Sequence, residues 1–151
     1  MEVTEISLAK YTDAREISLL SKNLIEYELP TTKYTEKRVN DAIRHESKNV
    51  AVMKQGENII GFGIMTYHDD SANLDLLAVL PEYEGTGLAQ EVVVWLEEVA
   101  LNAGIFDIKV QARERNQKGI KFYKKLGYKI IKKVPRVYGV ETQVRMAKKL
   151  C

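Results

Sequence analysis

The sequence predicts an α+β fold: a mixed, mostly antiparallel sheet of about seven strands with helices on both faces. Three observations lead there. Short runs rich in apolar residues recur along the chain, separated by turn residues. Between them lie segments whose apolar residues repeat at helical spacing, most clearly in the stretch Gly87 to Asn102. No internal repeat or low-complexity linker divides the 151 residues, a length that suits one domain with its own core, expected over residues 3–149.

Taken in order, Val3 to Leu8 forms a first strand. Asp13 followed by Glu16 has the form of a capping box, and Ile17, Leu20, Leu24 and Tyr27 then share a helix face that ends before Pro30. Thr35 is placed to cap a short second helix with Val39, Ala42 and Ile43 on one side. Gln55-Gly56-Glu57, flanked by residues 49–54 and 58–68, is a hairpin signal. Residues 74–80 make the central strand. In the helix that follows, Leu88, Val92, Leu96 and Val99 stand in register, and Gly104 stops it. Residues 108–112 form another strand and 116–126 the last helix. Residues 128–133 and 142–147 close the sheet as a strand pair, with 134–141 as the loop between them.

Composition excludes several classes. With 23 basic and 21 acidic residues the chain is close to neutral and lacks the basic stripe a nucleic acid would need. Cys151 is the sole cysteine, so no internal disulfide forms, and no Cys/His spacing fits a metal. The opening Met1-Glu2-Val3-Thr4-Glu5 is polar and acidic, unlike a signal peptide, and no apolar run is long enough to span a bilayer. There is no Gly-x-x-x-x-Gly-Lys-Ser/Thr run and no carboxylate cluster for Mg²⁺. The expectation is a cytoplasmic protein, monomeric or homodimeric, without metal, nucleic-acid or membrane partners.

Two segments carry chemistry. In the first, the apolar run Leu74 to Leu80 stops at Pro81 and passes through Glu84-Gly85-Thr86-Gly87-Leu88-Ala89 into a helix. A strand that feeds a glycine turn into a helix N-terminus gathers unpaired amides and the positive end of the helix dipole, and glycine lets a phosphate approach the main chain. About thirty residues on, Asn116 stands at an N-cap, Ile120, Tyr123 and Leu126 share a face, and Gly127 is placed as the C′ residue. By itself this second segment is equally a capped helix with a half-buried aromatic.

Together the two segments resemble the cofactor motifs of the GNAT superfamily, whose members move an acetyl group from acetyl-CoA to an amine. That family's Arg/Gln-x-x-Gly-x-Gly/Ala turn is matched at Gly87 and Ala89 and departs at Glu84. Its Asn…Tyr-x-x-x-Gly-Phe/Tyr segment is matched by Asn116, Tyr123, Gly127 and Tyr128. The resemblance implies a GNAT fold, acetyl-CoA as cosubstrate, and direct transfer to a primary amine, either a small molecule or a peptide N-terminus or lysine. It also implies that the fourth strand breaks from the fifth, so that Leu77, Ala78 and Val79 hold the pantetheine arm while Glu84, Gly85, Thr86, Gly87, Leu88 and Ala89 hold the pyrophosphate. Glu82, Glu84 and Glu91 put three acids and no cation on the phosphate-facing segment, which opposes a pyrophosphate by Coulomb repulsion. Compensation is expected from Arg113, Arg115, Lys118 and Lys121.

The resemblance sets Tyr123 beside the CoA sulfur, and a phenol is protonated at neutral pH and able to deliver a proton to a leaving thiolate. Tyr128, where the family has Phe, is expected in the core. For the base, Asp75 lies two residues before Leu77 in an apolar run; it is either a partly desolvated carboxylate or one that is solvated or paired with a nearby lysine. Glu28, His68 and Glu141 are the alternatives, and Gln111 stands where the family's ribosomal-protein alanine acetyltransferases have a glutamate. The resemblance assigns the acceptor cleft to residues 25–34 and 134–141, where Glu26, Glu28 and Glu141 offer charge to a cationic amine and Tyr27, Tyr34 and Tyr138 offer walls. A CoA-binding sensor or partner-binding module without turnover is the competing class, motivated by Glu84 and by the thin evidence for a base.

Overall fold

The computed structural model describes residues 4–25 and 33–150. Seven strands, β1 (Thr4–Leu8), β2 (Lys48–Gln55), β3 (Asn58–Tyr67), β4 (Ser71–Val79), β5 (Asp107–Arg113), β6 (Lys129–Tyr138) and β7 (Glu141–Lys149), form one sheet in the order β1-β2-β3-β4-β5-β7-β6. Neighbours are antiparallel except β4 and β5, which run parallel. Helices α1 (Ala14–Leu24) and α2 (Glu36–Arg44) bury Ile17, Val39 and Ala42 on one face, against Val50, Val52, Phe62 and Ile64. On the other face, α3 (Leu88–Asn102) and α4 (Gln117–Lys125) bury Val92, Leu96, Ala100 and Ile120 against Met53, Ile108, Val110 and Met146. Gly63 permits the close approach of α3, since a Cβ there would lie 3.0 Å from Val92 and Leu96.

The local chemistry of β4 decides where a site can form. Its buried positions alternate, Ala72, Leu74, Leu76 and Ala78, yet they do not share a face. Ala72 and Leu74 enter the core under α3, whereas Leu76 and Ala78 enter the core under α1 and α2. The switch occurs at a bulge: Met65 pairs with Leu74 and Ile64 with Leu76, which leaves Asp75 with no opposite residue. Pairing with β5 ends at the same level, at Leu74–Val110. A bulge re-aims a strand and terminates pairing. Beyond it β4 and β5 part, and residues 75–79 turn unpaired backbone groups toward the gap.

Most elements lie where the sequence places them. Thr35 Oγ1 accepts from the Arg38 amide (3.2 Å) and caps α2, and Gly56-Glu57 turns the β2–β3 hairpin. Two expectations need correction. Asp13 forms no capping box with Glu16, because it ends a 3-10 turn (Tyr11–Asp13) in helical geometry and its side chain caps nothing in α1. Its carboxylate instead accepts from the Lys10 amide (2.8 Å) and pairs with Lys54 (2.9 Å). The segment 134–141 is not a loop but the end of a β6–β7 hairpin that turns after Tyr138. β6 is an edge strand, and the irregularity between Val134 and Tyr138 absorbs Pro135, whose missing N–H would break an interior strand.

Tyr128 is a core residue, 2 % exposed, and donates its hydroxyl to Glu97 Oε2 (2.7 Å); Lys148 holds the other carboxylate oxygen (3.0 Å). Burial pushes the Tyr128 phenol well above its ordinary range, and the Glu97 carboxylate raises it further. Glu97→Gln keeps an acceptor for the phenol but removes the charge that Lys148 needs. It is expected to cost about 1–2 kcal/mol, read from urea unfolding midpoints, with no effect on ligand binding.

Candidate active site

After β4 the chain makes a 3-10 turn over Pro81–Tyr83, in which the Glu84 amide donates to the Pro81 carbonyl (3.1 Å). Thr86 returns both its amide (3.3 Å) and its hydroxyl to the Tyr83 carbonyl, and the Tyr83 hydroxyl donates to Gln55 Oε1 (2.7 Å), tying the turn to the β2–β3 hairpin. Gly87 then caps α3 at φ +86° with no side chain to serve the helix amides. The amides of Gly85, Gly87, Leu88 and Ala89 donate to no acceptor among the described residues. A Cβ on Gly87 would meet no protein atom within 4 Å, so the space before these amides is open. Converging free N–H groups at the positive end of a helix form an anion cradle.

Across the β4–β5 gap, Asn116 Oδ1 accepts from the Gly119 amide (3.0 Å) and caps α4. Two helical turns on, Tyr123 is 9 % exposed and held edge-on by Phe122 (centroids 5.1 Å) and Tyr128 (5.6 Å). Its hydroxyl has no hydrogen-bond partner among the described residues. Burial lifts its pKa beyond the usual phenol range, so the group is protonated wherever the protein is folded and active. The two phenols of the motif thus divide: Tyr128 is spent on Glu97, and Tyr123 has its hydroxyl in hand.

Glu84 is not a bare charge beside the cradle. It forms an ion pair with Lys118 in the first turn of α4, a contact between two exposed side chains. Arg115, expected to help there, pairs with Glu141 (2.5 Å) instead.

Where β4 and β5 separate, Asp75 joins a polar cluster. Its Oδ2 accepts from Thr66 (2.5 Å) and pairs with Lys48 (3.5 Å), and its Oδ1 accepts from Asn73 (2.8 Å). Asn73 Oδ1 accepts in turn from Gln111 (2.6 Å). Asp75 is therefore the lysine-paired carboxylate of the two possibilities, and its side chain is 19 % exposed. Lys48, Thr66 and Asn73 went unread because they come from three strands and share no motif.

Of the residues expected at the acceptor, Tyr34 and Glu141 have described side chains. Tyr34 is buried with Ile17 and Val39 and lies under the Arg38 guanidinium (4.2 Å). It packs the α1–α2 face. Glu28, like Glu26 and Tyr27, lies outside the described residues, as does the side chain of Tyr138, whose backbone ends β6 opposite Glu141. His68 occupies the β3–β4 turn, its amide donating to Ser71 (2.7 Å).

The family model of the acetyltransferase (GNAT) family matches residues 11–128. The chain belongs to this family. Among curated relatives, the thialysine N-epsilon-acetyltransferase of Mus musculus is 30 % identical over 78 residues, 48 % of this chain and 46 % of that protein. The chain thus spans about half the length of the curated relatives it matches. Among solved structures, Ard1 from Thermoplasma volcanium superposes with a TM-score of 0.86 at 20 % identity, covering 98 % of both chains. The PaiA N-acetyltransferase from Thermoplasma acidophilum, in complex with coenzyme A, gives 0.81 at 16 % identity, covering 97 % of this chain and 99 % of that one. The seven-stranded sheet with its parting of β4 from β5 is accordingly a GNAT fold, and no described helix is long and apolar enough to cross a membrane.

Proposed function

We propose that the protein is an acetyl-CoA-dependent N-acetyltransferase that acts on a primary amine by direct transfer within a ternary complex. The observation that carries this reading is the coincidence, around one gap in the sheet, of an open amide cradle and an unpartnered buried phenol. Bound acetyl-CoA supplies a thioester whose carbonyl carbon the amine attacks as the C–S bond breaks. The backbone of Leu77, Ala78 and Val79 lines the gap and holds the pantetheine arm. The amides of Gly85, Gly87, Leu88 and Ala89, which have no acceptor among the described residues, hold the pyrophosphate. Tyr123 keeps the proton that the departing sulfur takes. Asp75, at the level where the strands part, is the proposed proton acceptor for the amine, with water as its exit.

The test is direct. Purified protein is mixed with acetyl-CoA and with pools of primary amines, amino acids and short peptides, and free thiol is followed. Release of thiol in at least one pool, dependent on the amine, supports the reading. Stabilisation by CoA with no thiol from any pool would sink it and leave a binding module.

The Glu84–Lys118 pair yields a second expectation. Glu84→Gln removes a negative charge from the cradle and releases Lys118 toward the phosphates. Both side chains are largely exposed, so the gain in CoA affinity is expected to be about 0.5–1 kcal/mol at low salt and less at moderate salt. Calorimetric titration of both proteins at two ionic strengths decides it, and equal affinities would mean that the side chain does not face the ligand.

A further inference from the structure

The face of the sheet that carries Asp75 continues past the gap across β5, β7 and β6. The core under α1 and α2 draws on β2, β3 and β4 and on no residue of β5, β6 or β7. On this part, which that core leaves bare among the described residues, Lys109, Gln111, Ile131, Lys132, Gln143 and Arg145 line a cleft of about 300 Å³. Strand register sets its polar groups in a row: Gln111 opposite Arg145, and Arg145 opposite Lys132. The row is continuous with the site, because Asn73 pairs with Lys109 in the parallel ladder, hydrogen-bonds Gln111 (2.6 Å) and Asp75 (2.8 Å), and so joins the two halves.

The charges of this cleft are all of one sign: Lys109, Lys132 and Arg145 have no carboxylate partner among the described residues, and no acidic residue lines the cleft. Arg145 Nε donates to Gln143 Oε1 (2.7 Å), which fixes the guanidinium plane and leaves its terminal nitrogens to a ligand. Three cations on adjacent strands, with no counter-charge among them, favour an anion in the space they surround.

We infer that the acceptor amine carries a carboxylate, held by Arg145 with Lys132 and Lys109, while its nitrogen reaches the β4–β5 gap beside Asp75. This inference rests on the acetyltransferase reading and names its substrate class. Neighbouring strands lie about 5 Å apart, so an amine between β4 and β5 stands roughly 5–10 Å from an anion on β7. That separation exceeds the one between the amine and carboxylate of an α-amino acid's own backbone and matches a short ω-amino acid. A cleft of this size is also at the small end for ligand sites, which fits a small molecule.

The experiment compares 6-aminohexanoate with 6-aminohexanamide, which keeps the amine and replaces the carboxylate by an uncharged carboxamide, as acceptors and as ligands of the CoA-loaded protein. The carboxylate is expected to raise kcat/KM by roughly tenfold or more, the scale of a charge-assisted contact, and chiefly through KM. In Arg145→Gln the ratio between the two acceptors is expected to fall toward one, and in Lys132→Gln to fall part of the way. Calorimetry on the CoA-loaded protein should show the same preference and the same loss without any turnover. Equal use of both compounds by the wild type, or an unchanged ratio in Arg145→Gln, overturns the inference. The two readings fail separately. Arg145-dependent binding of 6-aminohexanoate with no thiol release from any amine defeats the acetyltransferase and leaves the anion subsite. Turnover of amines without carboxylate preference does the reverse.

Discussion

Tyr123→Phe is expected to lower the rate at saturating acetyl-CoA by roughly 10²-fold, the usual scale for a lost general acid, while leaving CoA affinity and stability nearly unchanged. The reasons are local. The ring keeps its edge-on contacts with Phe122 and Tyr128, and the hydroxyl removed has no partner among the described residues to strand. A purely structural tyrosine would show the opposite pattern, with a change in unfolding and none in rate. Because burial raises its pKa, ionisation of this phenol should not produce an alkaline fall in rate at ordinary working pH. Single-turnover rates, CoA titrations and unfolding curves for both proteins separate these cases. A variant as fast as the wild type would return Tyr123 to the core and leave the sulfur to depart unassisted.

What could be read from sequence alone follows from where the information lies. The glycine turn, the Asn116 cap and the tyrosine two helical turns beyond it are local, and local spacing states their geometry directly. The bulge at Asp75 is invisible, because Leu74, Leu76 and Ala78 alternate identically whether they line one face or two. Only pairing with β3 decides this, and that pairing is not written in β4. The same holds for Lys48, Thr66 and Asn73 around the carboxylate, and for Lys118, which reaches Glu84 from 34 positions away. The expected loop at 134–141 fails for a different reason: Pro135 sits at an irregularity on an edge strand, a place where a strand tolerates proline. Asp13 misled because a preceding 3-10 turn had already given it helical geometry.

Gly87→Val is expected to abolish the thermal stabilisation that CoA gives the wild type. Ligand at 100 times its Kd stabilises a native state by about 2.7 kcal/mol, so the wild-type shift is large enough to lose visibly. Two effects of the substitution must be kept apart. The left-handed φ of +86° is costly for a β-branched residue, on the order of 1–3 kcal/mol, and this lowers the melting temperature without any ligand. The isopropyl group also occupies the open space before the α3 amides, and this acts only on the ligand. Gly104→Val isolates the first effect. Gly104 follows the far end of α3 at φ +82°, and a Cβ there likewise meets nothing within 4 Å. Both variants should therefore lose comparable stability when free, and only Gly87→Val should lose its response to CoA. A Gly87→Val protein that still responds in full would place the pyrophosphate elsewhere, and the amide cradle would then be only the uncapped start of a helix.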